Sequence, residues 1–459
     1  MQWRNSIRHN PLNQLYDEAR LPGEIRRSLN FMLLGNIFGT ACGLICGGST
    51  TAMVGLANSL GASDLIFGIL SAIPQAAALL QIPFSMLVNR THKRKKYLLT
   101  WGLLSRFLWI LFGFIPLVFP VGASQLAIWT MVFLLGVISC SGSMINVCWF
   151  PWLSDLCPIG IRGRWLSIRE TVLAAVNVSL GLVVASLLDH LPPQNKYLVI
   201  FLIGGAVGMM DMICFGFCRE CYSAPSKKLG ITEIFSDVWK NVPFRRFLIM
   251  WTVWAFTGNM AAPYFTPYSM NVMGLNFTQI MIFATISSSI ATMVAVPRWG
   301  RLMDRFGSRS VMEVACVGFS LAPLFYLFSA PGNIWPTLLY SVLGGAFCCG
   351  GTLVANSMQL SCSPDDKRPA YVAIFSCVTS LAGTAVGTLV GGELLELMNG
   401  ANLFTGYFDR YKALILLTVI LRLAGVLLLT PGLTNDRDGT AGDVIRSMFV
   451  RKKLRGGRH

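Results

Sequence analysis

Apolar residues run along this chain in long stretches, separated by short polar segments rich in Lys and Arg. A helix needs roughly 20 residues to cross the hydrocarbon core of a bilayer. Twelve stretches reach that length, at about 29–55, 65–88, 97–119, 124–149, 166–188, 197–218, 246–270, 277–298, 310–329, 334–358, 370–397 and 412–432. They are too long for barrel strands, and a lone segment in lipid must satisfy its own backbone groups, so each predicts an α-helix. The expected fold class is all-α integral membrane, with twelve transmembrane helices in two pseudo-symmetric six-helix bundles.

Composition agrees. Charged residues make up only 13% of the 459, and mean hydropathy is +0.59. Soluble chains carry about 25% charged residues. The net charge of +16 does not point to nucleic acid, because the cations sit in clusters between spans and no base-reading motif accompanies them. Their placement instead sets orientation. With both termini cytoplasmic, 32 of the 37 Lys and Arg fall in inside segments. Outside lie Lys196, Arg410 and Lys412, and Arg106 and Arg422 fall within spans. This predicts a multi-pass protein of the cell (inner) membrane, in contact with the lipid bilayer. No cleavable signal peptide is read in the polar first 28 residues. The 13 cysteines lie mostly in apolar runs or on the inner side, which argues against a disulfide framework. Cys214, Cys218 and Cys221 form a C-x3-C-x2-C cluster; small apolar packing is the plainer use of such cysteines, and a metal or redox site the alternative. No metal or cofactor is expected.

The polar stretch 220–245 divides the chain. The expected organisation is a cytoplasmic segment 1–28, a bundle 29–219, a cytoplasmic linker 220–245, a bundle 246–433 and a basic cytoplasmic tail 434–459. A repeat offset by about 206–214 residues supports two halves. Gly61 precedes a span that ends with Pro83 and Asn89-Arg90; Gly274 precedes one that ends with Pro297 and Asp304-Arg305. Pro158-x3-Arg162 matches Pro364-x3-Arg368. Duplicated halves with a solute site between them are a common transporter plan.

These residues resemble the major facilitator superfamily over about 29–433. Gly300, Asp304, Arg305, Gly307 and Arg309 fit its G-x3-D-R-x-G-x-[RK] loop motif, and Asn89 and Arg90 belong to a degraded first copy. The resemblance implies a cytoplasmic gate at these residues, in which a carboxylate set against a helix N-terminus gains about 0.3–1 kcal/mol. An ordinary positive-inside loop is the alternative. The chain departs from proton-coupled efflux members, having no Arg in 124–149 and Gly181-Leu182-Val183 where they carry G-P-x2-G-G.

The resemblance also implies that the first helix of each three-helix unit lines a cavity. Candidate substrate contacts there are Asn36, Thr40, Ser143, Asn146, Trp149, Trp254, Asn259, Tyr264, Tyr268 and Asn356, with Asn177 on the neighbouring fifth helix. Polar residues of this kind also bond across membrane helices, so packing is the competing role. Arg169 and Glu170 are candidates for the inner vestibule. Pro263 and Pro267 predict kinks, and Gly383, Gly387, Gly391 and Gly392 a close helix contact. Arg106, Asp211 and Arg422 are intramembrane charges, which are expensive and default to functional hypotheses. By depth, roughly 13 and 10 Å from the inner ends of their helices, Arg106 and Asp211 are close enough for the arginine to bridge and are expected to pair, with proton carriage by Asp211 as the rival role.

The expected function is secondary active transport of a small-molecule organic substrate by alternating access, with H+ as coupling ion, by a monomer. The alternative is a membrane assembly or binding protein that keeps the fold without transport. An enzyme is not expected, because no phosphate loop, H-E-x2-H or Ser/His pair lies at membrane depth.

Overall fold

The computed structural model describes residues 11–47, 50–91, 93–119, 124–192, 195–220, 231–364, 368–401, 408–433 and 439–449. Among these the elements are helical, and the one β pairing is a single bridge between Ala330 and Asn333. Ten helices are long and apolar enough to cross a membrane, in the order Gly23–Ile45, Asp64–Val88, Gln125–Leu153, Ile168–His190, Lys196–Gly216, Phe277–Phe306, Ser308–Phe328, Trp335–Gln359, Tyr371–Gly400 and Arg410–Gly432. The other two expected spans occupy helices that carry charge or a break. Arg94–Gly113 opens on Arg94, Lys95 and Lys96 and holds Arg106 inside. Val242–Asn259 holds Arg245 and Arg246, and stops at a 3-10 turn, Ala262–Tyr264, before Phe265–Asn271. Pro263 sits in that turn, so the chain there is broken rather than bent.

The first span also differs from expectation. It starts at Gly23, because the polar turns before the apolar run continue the helix. It stops at Ile45, and a second helix, Thr51–Ser59, begins where Thr50 accepts the Met53 amide as its cap. Many large apolar side chains face outward, among them Phe133, Met293 and Leu428, each more than two-thirds exposed. On a water-soluble surface such a belt would be a liability, and in lipid it costs nothing.

The chain divides into two units. One comprises Met1–Ala62 and Ile69–Lys227, the other Ser63–Gly68 and Lys228–His459. The division thus falls after Lys227, and residues 63–68 group with the second unit.

In the first unit, the short helix Pro11–Glu18 tucks Tyr16 fully into the core. Its hydroxyl donates to Asn30 Oδ1 at 3.1 Å and accepts from Trp165 Nε1 at 3.2 Å. Burial pushes the Tyr16 phenol up to about 12, which the Trp165 bond opposes. The Arg94–Gly113 and Lys196–Gly216 helices close up at glycines. A Cβ on Gly102 would lie 2.0 Å from Met212 Sδ, and one on Gly205 would lie 2.4 Å from Ile110 Cγ1. In the second unit, the glycine stripe lies against Val242–Asn259 and the residues after it. Cβ atoms on Gly387 and Gly391 would lie 2.5 Å from Phe256 O and 2.0 Å from Met260 O. These are backbone atoms, so only glycine permits the approach. Two helices carry π-helical turns, Met281–Ile286 and Thr379–Ala385.

Gly61 and Gly274 have φ of 73° and 70°, the left-handed region that favours glycine. Each precedes the second long helix of its half, so the sequence repeat has a local conformational counterpart.

Candidate functional site

In the first unit the structure gathers four of the expected residues. Asn36 lies on Gly23–Ile45, Trp149 on Ser124–Leu156, and Arg169 and Glu170 on Ile159–His190. The Arg169 guanidinium lies over the Trp149 ring at 4.7 Å and donates through Nη2 to Asn36 Oδ1 at 3.0 Å. Its Nη1 pairs with the exposed Glu170 carboxylate. Asn36 Nδ2 is bound in turn to Met32 O at 2.6 Å, which fixes the amide so that its oxygen faces the arginine. Arg169 Nε is buried and has no acceptor among the described residues. A stacked, charged, incompletely satisfied arginine in an apolar bundle suits a ligand with an aromatic face and a hydrogen-bond acceptor.

The other candidates separate. Ser143 is buried and donates to Ala77 O at 2.7 Å, a helix-to-helix bond. Thr40 is half-buried, and Asn146, Asn177 and Asn356 are exposed. Asn259 Nδ2 donates to Ala255 O at 2.7 Å and reaches Thr384 Oγ1 at 3.5 Å. Tyr264 is buried and donates to Thr388 O at 2.8 Å; Tyr268 is buried with its hydroxyl 2.9 Å from Ser329 Oγ. For Ser143, Tyr264 and Tyr268 the observed bonds are packing bonds.

Of the intramembrane charges, Arg106 Nη2 donates to Asp211 Oδ2 at 3.0 Å, with the aspartate almost wholly buried. Asp211 fits because Gly35 and Gly39 leave room; a Cβ on Gly39 would lie 2.9 Å from its Oδ2. Arg422 has no carboxylate partner among the described residues. Its guanidinium lies between the rings of Trp254, at 5.0 Å, and Phe319, at 4.8 Å. Trp254 stacks in turn on Trp251 at 4.6 Å.

The gate motif sits at the end of Ser287–Phe306. Gly307 has φ 87° and joins that helix to Ser308–Leu321, a turn that favours glycine. Gly300 has open space where a Cβ would stand. Arg305 lies over the Phe306 ring at 4.9 Å. Asp304 and Arg90 are exposed, Arg309 is half-buried, and Asp304 makes no hydrogen bond or ion pair among the described residues. The Asn89 side chain lies outside the described residues. Cys214 and Cys218 are buried free thiols, Cys218 Sγ lying 3.4 Å from Ser28 O; Cys221 also lies outside the described residues.

One cluster was not read from the sequence. Within the second unit Asp64, almost fully buried, pairs with Arg410 Nη2 at 3.0 Å and accepts from Tyr411 Oη at 2.7 Å. The Leu65 amide donates to Glu396 Oε1 at 3.1 Å. Gly68 packs against Thr388 O and Tyr264 Oη, and Gly392 against Leu65. Asp409 caps the Arg410–Leu429 helix by accepting the Lys412 amide at 2.9 Å; burial pushes its carboxyl up, against the pull of that bond.

Comparison with known proteins agrees with this architecture. The family model described as Major Facilitator Superfamily matches residues 31–295 and 253–449. A segment of 173 residues is 28% identical to the multi-drug resistance efflux pump PmrA homolog of Lactococcus lactis subsp. lactis (strain IL1403), covering 36% of this chain and 41% of that protein. Another, of 153 residues, is 26% identical to efflux pump azaK of Aspergillus niger, covering 32% and 30%. The chain thus spans less than half the length of the curated relatives it matches. Among solved structures, a bacterial homolog of the human lysosomal transporter Spinster, inward-facing and unoccupied, superposes with TM-score 0.65 at 15% identity, over 88% of this chain and 96% of that one. The xylose transporter XylE from E. coli gives 0.63 at 12%, over 90% and 99%. These likenesses are of fold, and the family rests on the model match across both halves: the chain belongs to the major facilitator superfamily of membrane transporters.

Proposed function

We propose that this protein is a secondary active transporter that moves a small organic solute by alternating access, with a proton as the coupling ion. The observation that carries the proposal is Arg169, stacked on Trp149, bonded to Asn36 and left with an unsatisfied Nε. A solute with a ring and an acceptor, such as an aromatic amide or carboxylate, completes that arrangement. Matched segments of proteins named as efflux pumps favour export. The Lys and Arg asymmetry favours an inner-membrane protein with both termini in the cytoplasm, and we take the monomer as the working unit. Asp304 and its loop serve as the cytoplasmic gate. The Asp64–Arg410–Tyr411 cluster is the outer closure, and residues 63–68 leave it when the outer path opens.

Counterflow in proteoliposomes tests this reading, with candidates first chosen by thermal stabilisation of purified protein among aromatic acids, amides, sugars and peptides. Exchange of a stabilising solute that is lost in Arg169→Gln and reduced in Trp149→Leu supports the site. Full exchange in both variants removes it. A pyranine signal of proton movement during net solute flux down an imposed solute gradient supports coupling, and its absence during such net flux rejects the proton.

A further inference from the structure

The Arg410–Leu429 helix places Arg422 about 18 Å along its axis from the outer end and about 10 Å from Leu429. The side chain therefore sits deep in the bundle, and the residue is only 8% exposed. A charge at this depth costs about 2.5–3.5 kcal/mol or more on insertion scales, so such arginines normally have a partner. Here none is found: Arg422 makes no hydrogen bond and no ion pair among the described residues. The titratable groups facing it are Tyr340 and Cys348 on Trp335–Ser361 and Cys316 on Ser308–Leu321. Groups of these types are ordinarily uncharged near pH 7.

The aromatic rings explain half of the arrangement. Trp254 and Phe319 meet the guanidinium at 5.0 and 4.8 Å. Cation–π attraction offsets part of the burial cost, but it satisfies the π faces and leaves the in-plane N–H donors needing acceptors. Arg422 Nε is buried without one. So is Trp254 Nε1, on the ring the arginine covers. The position is held on the remaining side by Gly258. A Cβ there would lie 1.5 Å from Arg422 Nη2, so the guanidinium occupies space that only glycine leaves open. The described residues thus supply no acceptor to either of two buried donors beside one another on the Arg422–Trp254 stack, a need that a small monovalent anion would meet.

We propose that Arg422 and Trp254 bind a monovalent anion, a halide or a carboxylate group, through Arg422 Nε–H and Trp254 Nε1–H. The site lies wholly within the second unit. It is separate from the Asn36–Trp149–Arg169 cluster and does not depend on that cluster's role. The anion neutralises the buried guanidinium and ties the Arg410–Leu429 and Val242–Asn259 helices together, so its binding stabilises the fold. The source is either a free inorganic halide or the carboxylate of an organic solute.

The test uses full-length protein in detergent, with sodium sulfate as the reference salt at matched ionic strength. Sodium chloride, bromide and acetate are each titrated while thermal unfolding is followed, and radiolabelled chloride binding is measured in parallel. The expected result is a saturable rise in Tm that Arg422→Gln abolishes. Trp254→Phe keeps a ring face but removes the donor, and is expected to raise the half-saturating concentration about tenfold. It also keeps the test open should Arg422→Gln fail to fold. A response to halides alone identifies an inorganic anion. A response to acetate that displaces labelled chloride identifies a carboxylate site. A Tm that follows ionic strength alone in the wild type, with no saturable chloride binding, overturns the proposal. So does a response of full size and unchanged midpoint in Trp254→Phe.

Discussion

Removing one partner of the Arg106–Asp211 pair is the sharpest available perturbation of the first unit. The contact is a single bond of 3.0 Å, with side-chain exposures of 15% and 4%. It is incompletely satisfied, since Arg106 Nε and Asp211 Oδ1 are buried with no partner among the described residues. Breaking a buried pair from one side typically costs about 3–5 kcal/mol, because the remaining charge is left uncompensated. Asp211→Asn leaves the Arg106 charge among apolar helices, and Arg106→Gln leaves the carboxylate in the notch formed by Gly35 and Gly39. Removing both charges removes the desolvation cost along with the attraction, so the double variant is expected to be milder than the two single losses added. Coupling energies between contacting residues run to about 0.5–3 kcal/mol, and the depth of this pair places it in the upper part of that range. Unfolding in mixed micelles with increasing SDS measures all four proteins on one scale. Additive losses would refute the pairing argument. An Asp211→Asn variant that abolishes proton-coupled transport while leaving solute exchange would identify Asp211 as the proton carrier instead.

Three further outcomes follow from local geometry. Asp64→Asn keeps the shape but loses the charge that holds Arg410, so solvent-accessible cysteines introduced at residues 63–68 are expected to label faster from outside; unchanged labelling would leave the cluster as static packing. Gly391→Ala forces a Cβ against Met260 O and is expected to destabilise the second unit by about 1–3 kcal/mol, whereas Gly136→Ala, with open space around it, is expected to be neutral or stabilising in the same unfolding assay. Asp304→Asn is expected to slow transport and shift cysteine accessibility toward the inward-open state, and equal rates with equal labelling would leave Asp304 as an ordinary loop residue.

Hydropathy and charge made most of the helices legible, because lipid imposes one solution on a long apolar run. The depth arithmetic that put Arg106 and Asp211 within bridging reach matches the 3.0 Å contact. The glycine stripe from Gly383 to Gly392 read correctly as a close approach, since no other residue supplies that distance. What was hidden depended on partners far away in the chain. Nothing local to Asp64 announces Arg410 and Tyr411, which lie about 350 residues on. The π-turns at Met281–Ile286 and Thr379–Ala385 replace one hydrogen-bond spacing with another, a choice decided by packing rather than composition. Polar residues on candidate cavity helices were the weakest signal. Asn36 and Ser143 both read in the sequence as polar residues on cavity helices, yet one orients an arginine and the other staples two helices.

The two intramembrane charges on the last helix of each half answer to one another. Asp211 and Arg422 are 211 residues apart, within the repeat offset, and each lies against glycine on the first helix of its own unit, Gly39 or Gly258. On the third helix of each half, Arg106 faces Asp211 and Phe319 faces Arg422, and these two positions are 213 residues apart. The same internal frame is thus filled in two ways. The first unit closes its charge with a partner of its own. The second puts a ring where the partner would stand and leaves its cation unneutralised. Phe319→Glu restores the missing partner at the place the repeat assigns to it. A carboxylate there is within reach of Arg422, since the ring centroid now lies 4.8 Å from the guanidinium carbon. The protein would then carry its own anion. In sulfate the variant is expected to unfold at a temperature no lower than wild type, and its chloride-dependent rise in Tm is expected to vanish. Phe319→Leu, which removes the ring but supplies no charge, is expected to keep the chloride response. If Phe319→Glu responds to chloride as the wild type does, the third-helix position does not face the anion, and the correspondence between the two units stops at the backbone.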